Sequence, residues 1–278
     1  MNYTEERDAS KKYKEIYAKG IEDIILSRQK EATDRRREYS KNILSDAERC
    51  RDDFKRMLGW PLVDHAVEGL PEVSSEKLFE GDEYSIFRMS FCVLEGLVLS
   101  GLYFENHGDG KRPLVIVQHG GSGTPELISG IYENNTHNYN GMLERVLKYG
   151  VDVFAPQLLL WENTYDVPFA RRDIDARLKR VGSSITAVEI YGVMRILDYF
   201  EAKDNITDFG MVGLSYGGFY TLYTAAIDTR ISSSVSCAFF NKRDEIPWLL
   251  PVIKFKFSSP APTLFCKTTV PQLMQPQQ

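Results

Sequence analysis

The sequence predicts an α/β fold in which a mostly parallel sheet carries helices on both faces. The apolar run at 113–118 is continuous, as is typical of a strand buried on both faces. Strand and helix patterns then alternate along the chain, which favours parallel strands joined by crossover helices. Residues 84–104 precede them with two strand patterns around Glu95 and Gly96, and this predicts an antiparallel hairpin at the start of the sheet.

Residues 1–80 are predicted to form an N-terminal helical extension. Over the first 58 residues, apolar side chains recur at helical spacing between charged ones, and the segment from Gly59 to Pro61 then breaks the helix. An amphipathic extension packed on the main domain is the favoured interpretation. A coiled-coil partner site is the alternative, although the heptad pattern is not sustained. The apolar pattern consists of Tyr13, Ile16, Tyr17, Ile21, Ile24 and Ile25.

The α/β core is predicted to span 81–257. Residues 258–278 are rich in proline and glutamine, so a disordered tail is expected there. A long connection at 157–181 carries Trp161 and Tyr165, which either line a pocket or simply pack. After the hairpin, the predicted elements are a strand at 113–118, a helix at 140–148, a strand at 151–156, a helix at 184–202, a strand at 208–214, a helix at 216–227 and a strand at 231–239.

Composition narrows the function classes. The chain has 278 residues, of which 43% are hydrophobic, so it can bury a sizeable core. A formal net charge of −5 argues against a nucleic-acid partner. The sequence has no apolar run of about 18 residues and its N-terminus is charged, which argues against a membrane span and a secretory signal. The four cysteines lack paired spacing, so we expect a cytoplasmic protein with reduced thiols and no metal site.

The most informative motif is Gly213-Leu214-Ser215-Tyr216-Gly217. It follows an apolar strand pattern and precedes a helix pattern, the setting in which G-x-S-x-G forms a nucleophile elbow. A serine on so tight a turn needs a strained backbone, and small residues two before and two after it let the neighbouring chain pass. Ser215 is therefore the predicted nucleophile. The alternative is a serine in an ordinary glycine-rich turn.

A second glycine-rich loop, 119–123, follows the buried strand that ends at Gln118. Glycines there would let backbone amides face a substrate oxygen, as an oxyanion hole requires. The other donor in such a site is the amide after the nucleophile, which is that of Tyr216. His119 is expected to shape the loop rather than to act as the base. A plain turn between strand and helix is the alternative.

The stretch from about 84 to 240 resembles the α/β-hydrolase fold. The helical N-terminus, the segment 54–62 and the loop 118–121 are similar to the dienelactone hydrolase and acetyl xylan esterase-like branch. This resemblance implies a serine hydrolase that acts on a small-molecule ester through an acyl-enzyme, without metal or cofactor. It also implies that the amides of Gly121 and Tyr216 form the oxyanion hole, supported by Gly120, Gly213 and Gly217.

The chain departs from that family after the serine. The fold places an acid and then a histidine downstream of the nucleophile, but no histidine follows Ser215. Asp228 lies at the end of the elbow helix, and Asp244 comes too early for the usual acid. We therefore expect a chain that ends before the last strands of the fold and a serine that is poorly activated. Two functions stay open: an impaired serine esterase, or a non-catalytic hydrolase-fold protein that binds a ligand or a partner chain.

Three further segments have two interpretations each. His137 lies in a polar loop that could reach the site, although a solvent-facing position is favoured; His65 and His107 are weaker candidates for the base. The basic cluster from Arg171 to Arg180 either contacts an acidic substrate or forms a solvated helix face, and the second is favoured. A strand at 231–239 without a further neighbour would leave a hydrophobic sheet edge, open to self-association.

Overall fold

A computed structural model describes residues 3–41, 43, 45–66, 69–132, 139–159 and 170–239. The chain divides into two compact units, Met1–Phe54 and Lys55–Gln278. Trp161, Tyr165, His137, Asp244 and the predicted tail at 258–278 lie outside the described residues.

The first unit is helical. Its helix α1 spans Ala9–Lys41, and α2, at Ala47–Leu58, begins in this unit and continues into the second. No residue of α1 is buried, and its surface carries ion pairs one turn apart, such as Lys11 with Glu15. Among the described helices, including this long one, none is long and apolar enough to cross a membrane.

The second unit contains a seven-stranded sheet in the order β1-β2-β3-β5-β4-β6-β7. The neighbouring pairs β1–β2, β2–β3 and β3–β5 are antiparallel. The pairs β5–β4, β4–β6 and β6–β7 are parallel. The strands are β1 Val73–Glu80, β2 Tyr84–Leu94, β3 Leu97–Asn106, β4 Arg112–Gln118, β5 Asp152–Pro156, β6 Ile206–Leu214 and β7 Ile231–Cys237. The helices are α3 Pro125–Ser129, α4 Met142–Leu147, α5 Arg171–Lys179, α6 Ile185–Glu201 and α7 Tyr216–Ile227.

The predicted α/β fold with an antiparallel start is confirmed. Successive residues of a strand point to opposite faces, so the fully buried β5 contributes to two cores. Val153 packs in a cluster with Ile128 of α3 and Leu143 of α4. On the other face, Phe154 contacts Phe200 of α6, with ring centroids 5.9 Å apart. Helices therefore cover both faces of the sheet.

Strand β1 was not predicted from the sequence. It lies within the segment that we interpreted as a helical extension, and it pairs antiparallel with β2. Its sequence lacks the alternation of apolar and polar residues by which a half-buried strand is recognised. In the structure, all of its residues after Val73 are exposed. Its backbone pairing, not side-chain burial, places it in the sheet.

Strand β7 lies at the edge of the sheet that the described residues form, with β6 as its neighbour. Four consecutive residues, 232–235, are exposed, and three of them are serines. The edge is therefore more polar than the sequence interpretation assumed. Self-association through it stays a prediction.

A buried ion pair lies at the amino ends of β4 and β5. Asp152 has no exposed surface, and its carboxylate accepts hydrogen bonds from Arg112 Nε at 2.7 Å and from the Asn106 amide at 2.9 Å. The Tyr103 hydroxyl donates to the same carboxylate at 2.5 Å. Burial, together with Asp152, raises the pKa of Tyr103, so this phenol stays a neutral donor.

Replacing Asp152 is expected to destabilise the fold strongly. Asp152→Ala leaves the Arg112 guanidinium without its buried partner, and breaking such a pair typically costs about 3–5 kcal/mol. Chemical denaturation should show this loss in the free energy of unfolding. Glu80→Ala, which removes an exposed pair with Lys77, is the control and should leave the midpoint unchanged. Equal effects of both variants would contradict this account of Asp152.

Candidate active site

Ser215 occupies a strained turn between β6 and α7. Its φ is 55° and its ψ is −112°, a conformation that L side chains rarely adopt and that costs on the order of 1–3 kcal/mol. The Ser215 amide donates to the Cys237 carbonyl oxygen at 2.7 Å, which ties the turn to the end of β7. The residue is exposed. The strained backbone of the turn thus places the serine beyond the edge of the sheet, where it is exposed.

The glycines around Ser215 are required by close backbone contacts. A Cβ atom on Gly213 would collide with the backbone of Gly217, and one on Gly217 would collide with the Gln118 carbonyl oxygen. A Cβ on Gly218 would lie 2.8 Å from the Cys237 carbonyl oxygen. The turn can therefore pack between β4 and β7 only when these positions lack side chains.

The glycine loop after β4 lies directly beside the serine. Residues Gln118 and Gly213 are register partners in the parallel pair β4–β6, so the two loops leave the sheet side by side. A Cβ atom on Gly120 would lie 3.2 Å from the Leu214 carbonyl oxygen and 3.8 Å from Ser215 Cβ. The loop and the predicted nucleophile are thus neighbours, as an oxyanion site needs.

Two hydrogen bonds fix the glycine loop. The Gly120 amide donates to the hydroxyl of the buried Tyr139 at 2.9 Å, and the Gly123 amide donates to the Gly120 carbonyl oxygen at 3.1 Å. Within the described part of the chain, the Gly121 amide donates to no acceptor. Gly121 and Tyr216 stay the predicted oxyanion donors, and Tyr139 supports the loop although no sequence pattern singles it out.

His119 is buried and uses both ring nitrogens to hold backbone. Its Nε2 accepts from the Leu158 amide at 3.2 Å, so Nδ1 carries the proton and donates to the Gly120 carbonyl oxygen at 2.8 Å. Burial lowers the pKa of His119 to about 4 and outweighs the bond to Gly120, which favours the charged form. A neutral imidazole committed to two backbone groups is unsuited to taking a proton from Ser215.

The other candidate residues have different surroundings. His65 packs edge-on against Trp60 and Tyr191, and His107 Nε2 lies 2.8 Å from Ser85 Oγ. Asp228 is paired with Arg230. Among the described residues, no side chain hydrogen-bonds the Ser215 hydroxyl, and no cluster of histidine, cysteine or acidic side chains could hold a metal ion.

A buried ion pair lies behind the serine turn. Arg171 Nη2 lies 2.7 Å from Glu189 Oε2, and both side chains are almost fully buried. The sequence interpretation assigned Arg171 to a solvated basic face. Its other members (Arg172, Arg177, Lys179 and Arg180) are indeed exposed. Glu189 could have indicated the buried pair from the sequence, because an acid within the apolar pattern of α6 needs a buried cation.

Comparisons with known proteins support the fold. No protein-family model matches the chain, and no curated protein matches it. A solved structure from Bacteroides fragilis, assigned as an acetyl xylan esterase, is similar with a TM-score of 0.58 and 16% identity over 70% of this chain and 53% of that one. A solved methylesterase gives a TM-score of 0.51 and 22% identity over 70% of this chain and 41% of that one.

These likenesses show the fold. The chain has the α/β-hydrolase fold of these esterases, and the predicted fold is confirmed. It spans about half the length of the first structure and less of the second. A specific relation to dienelactone hydrolases stays a prediction.

The neutral state of His119 should make stability depend on pH. Its pKa is about 4 in the folded chain, against an ordinary 6.5, so the unfolded chain binds the extra proton between these values. The resulting stabilisation, about 3 kcal/mol, is present above pH 6.5 and is lost as the pH falls towards 4. His119→Gln, which can make both backbone bonds without titrating, should remove this dependence in urea unfolding. Identical pH profiles for the two proteins would refute it.

The close approach at Gly217 can be tested by adding one methyl group. Gly217→Ala should lower the free energy of unfolding by about 1–3 kcal/mol, because the Gln118 backbone must move. Gly210→Ala in β6 is the matched control, since its Cβ would lie at an ordinary 3.5 Å from Val115 Cγ2. Chemical denaturation of both variants measures the change in the free energy of unfolding. A Gly217→Ala variant as stable as the unaltered protein would show that the contact with Gln118 does not matter for stability.

Proposed function

We propose that the protein provides the nucleophile and oxyanion parts of a serine hydrolase site for carboxylic esters, with Ser215 as the nucleophile. The observation that carries the proposal is the strained backbone of Ser215 beside the glycine loop. Such a conformation persists only when its surroundings enforce it, and it is concentrated at functional sites. An ordinary turn would have no need of it.

The proposed reaction proceeds through an acyl-enzyme. The Ser215 hydroxyl attacks the ester carbonyl carbon, and the amides of Gly121 and Tyr216 donate to the oxygen that becomes negative. The carbon–oxygen bond to the alcohol then breaks, and the alcohol leaves with a proton. Water attacks the acyl-serine, which releases the acid and restores the hydroxyl. The N-terminus of α7, which starts at Tyr216, adds a favourable partial positive charge.

The names of the similar structures support an ester as the substrate class. Both are esterases, one assigned to acetyl xylan and one to methyl esters. Acyl transfer from an ester needs a nucleophile and oxyanion donors, and the proposed roles of Ser215, Gly121 and Tyr216 supply these. The substrate we propose is a small-molecule ester.

The described residues offer no base for Ser215. His65, His107 and His119 each have other partners, and His137 lies outside the described residues. Without a base, turnover falls by about 10⁴- to 10⁶-fold in enzymes of this type. This observation favours the second candidate function, a non-catalytic hydrolase-fold protein that binds a ligand or a partner chain.

Labelling with a fluorophosphonate separates these functions. We expect a slowly formed adduct on Ser215, located by mass spectrometry, because the strained turn presents its hydroxyl next to the oxyanion donors but the described residues supply no base. Ser215→Ala should lose the adduct. Ser234→Ala, which removes another exposed serine from β7, should keep it. A folded protein that forms no adduct, or an adduct that survives Ser215→Ala, would refute the proposal and leave the binding function.

The labelling rate then reports on the base. If the site works with the described residues alone, added imidazole should accelerate labelling of Ser215 by acting as an external base. Rapid labelling that is insensitive to imidazole would instead mean that a base is supplied from elsewhere. The imidazole effect must vanish in Ser215→Ala if it acts on this serine.

A further inference from the structure

The buried side chains of Arg171, Glu189 and Tyr220 form a cluster behind the serine turn, which we call the Arg171 cluster. Arg171 Nη1 donates to Glu189 Oε1 at 2.8 Å, and its Nη2 donates to the Tyr220 hydroxyl. The Tyr220 hydroxyl in turn donates to Glu189 Oε2. The three groups come from α5, α6 and α7, so the cluster joins three helices in one hydrogen-bonded unit.

The cluster also holds the loop after β5. The Leu159 amide donates to Glu189 Oε1 at 2.8 Å, and Arg171 Nη1 donates to the Leu159 carbonyl oxygen at 3.2 Å. The preceding amide, that of Leu158, donates to His119 Nε2. Since His119 bonds Gly120 through its other nitrogen, these hydrogen bonds, linked through the peptide bond between Leu158 and Leu159, connect Arg171 to the glycine loop.

A second path leads from the cluster to the serine turn. The Arg171 guanidinium carbon lies 4.8 Å from the centroid of the Tyr216 ring, and this ring meets that of Tyr220 edge-on at 5.3 Å. A cation over an aromatic face in a buried setting is attractive. Tyr216 supplies the proposed oxyanion amide next to Ser215. Both proposed donors are therefore connected to one guanidinium.

Stability alone does not account for this ion pair. Burying two charges is expensive, and well-packed apolar residues of the same volume are often as stabilising. A buried pair also fixes geometry, because a planar guanidinium donates its hydrogen bonds only in fixed directions. Burial would lower the pKa of Arg171, but Glu189 outweighs it and raises the pKa, so the side chain stays charged. Burial and Glu189 raise the pKa of Tyr220, which stays a neutral donor.

We propose that Arg171 is a positioning residue that sets the glycine loop and the serine turn relative to each other through Glu189, Leu158 and Tyr216. The cluster fixes the two amides that receive the negative oxygen, although it contacts no reacting atom. The inference rests on the proposed function for its activity readout, and hydrogen exchange provides a readout that is independent of activity.

The test compares two buried ion pairs, one that binds the loop after β5 and one at the amino ends of β4 and β5. The double variant Arg171→Met, Glu189→Leu removes the cluster without leaving a lone charge, and Arg171→Lys keeps the charge but loses the planar fork. Arg112→Met, Asp152→Asn is the matched control at the amino ends of β4 and β5: it removes both charges, while the side-chain amide oxygen can still accept a hydrogen bond from Tyr103 or from the Asn106 amide. The fluorophosphonate rate at Ser215 should fall about 10- to 100-fold in the first variant, since small misplacements have such effects. Arg171→Lys should lie between that variant and the unaltered protein, and the control should label within twofold of the unaltered protein.

Hydrogen exchange, read residue by residue, completes the test. The informative amides are those of Gly120 and Ser215, because neither is bonded to the cluster. Their exchange should quicken in both Arg171 variants and not in the control. Unchanged exchange at both amides would overturn the inference, and so would an equal effect of the control pair.

If the unaltered protein does not label at all, the proposed function fails, and exchange alone decides the role of Arg171. If the double variant does not fold, Arg171→Lys supplies the comparison.

Discussion

The close contact between the end of β4 and the start of α7 is the constraint on which the site depends. The backbone of Gly217 packs against the carbonyl oxygen of Gln118, with no space for a side chain between them. This contact brings the glycine loop and the serine turn together at the carboxyl edge of the parallel strands. In open α/β sheets this edge is where ligands usually bind. The strain at Ser215 lies in the same turn, where the chain passes from β6 to α7 within one residue.

The two ends of the parallel strands are secured by different means. At the amino ends, Asp152 collects three donors and joins β3, β4 and β5 inside the sheet. At the carboxyl ends, the Arg171 cluster and His119 bind loops rather than strands. The first arrangement fixes the framework, whereas the second fixes the segments that carry the proposed chemistry. Loops held so firmly can provide preorganised donors.

Much of the core could be predicted because its signals are local. Continuous apolar runs identified β4 and β5, and the motif around Ser215 identified the turn and its helix. Strand β1 was not predicted because its place in the sheet depends on backbone pairing alone. The Arg171 cluster was not predicted for another reason. Its members are far apart in sequence, and a basic residue among other basic residues has the pattern of a solvated surface. Long-range pairing of buried charges leaves no periodicity to read.

The hydrogen bond from the Ser215 amide to the Cys237 carbonyl oxygen has a mechanical consequence. Cys237 is the last residue of β7, and beyond it the described chain continues through Ala238 to Phe239. A tension applied to the chain after Phe239 would reach the backbone of the serine across a single hydrogen bond. Anything that pulls on this segment would thus act on the serine turn as well as on the end of β7.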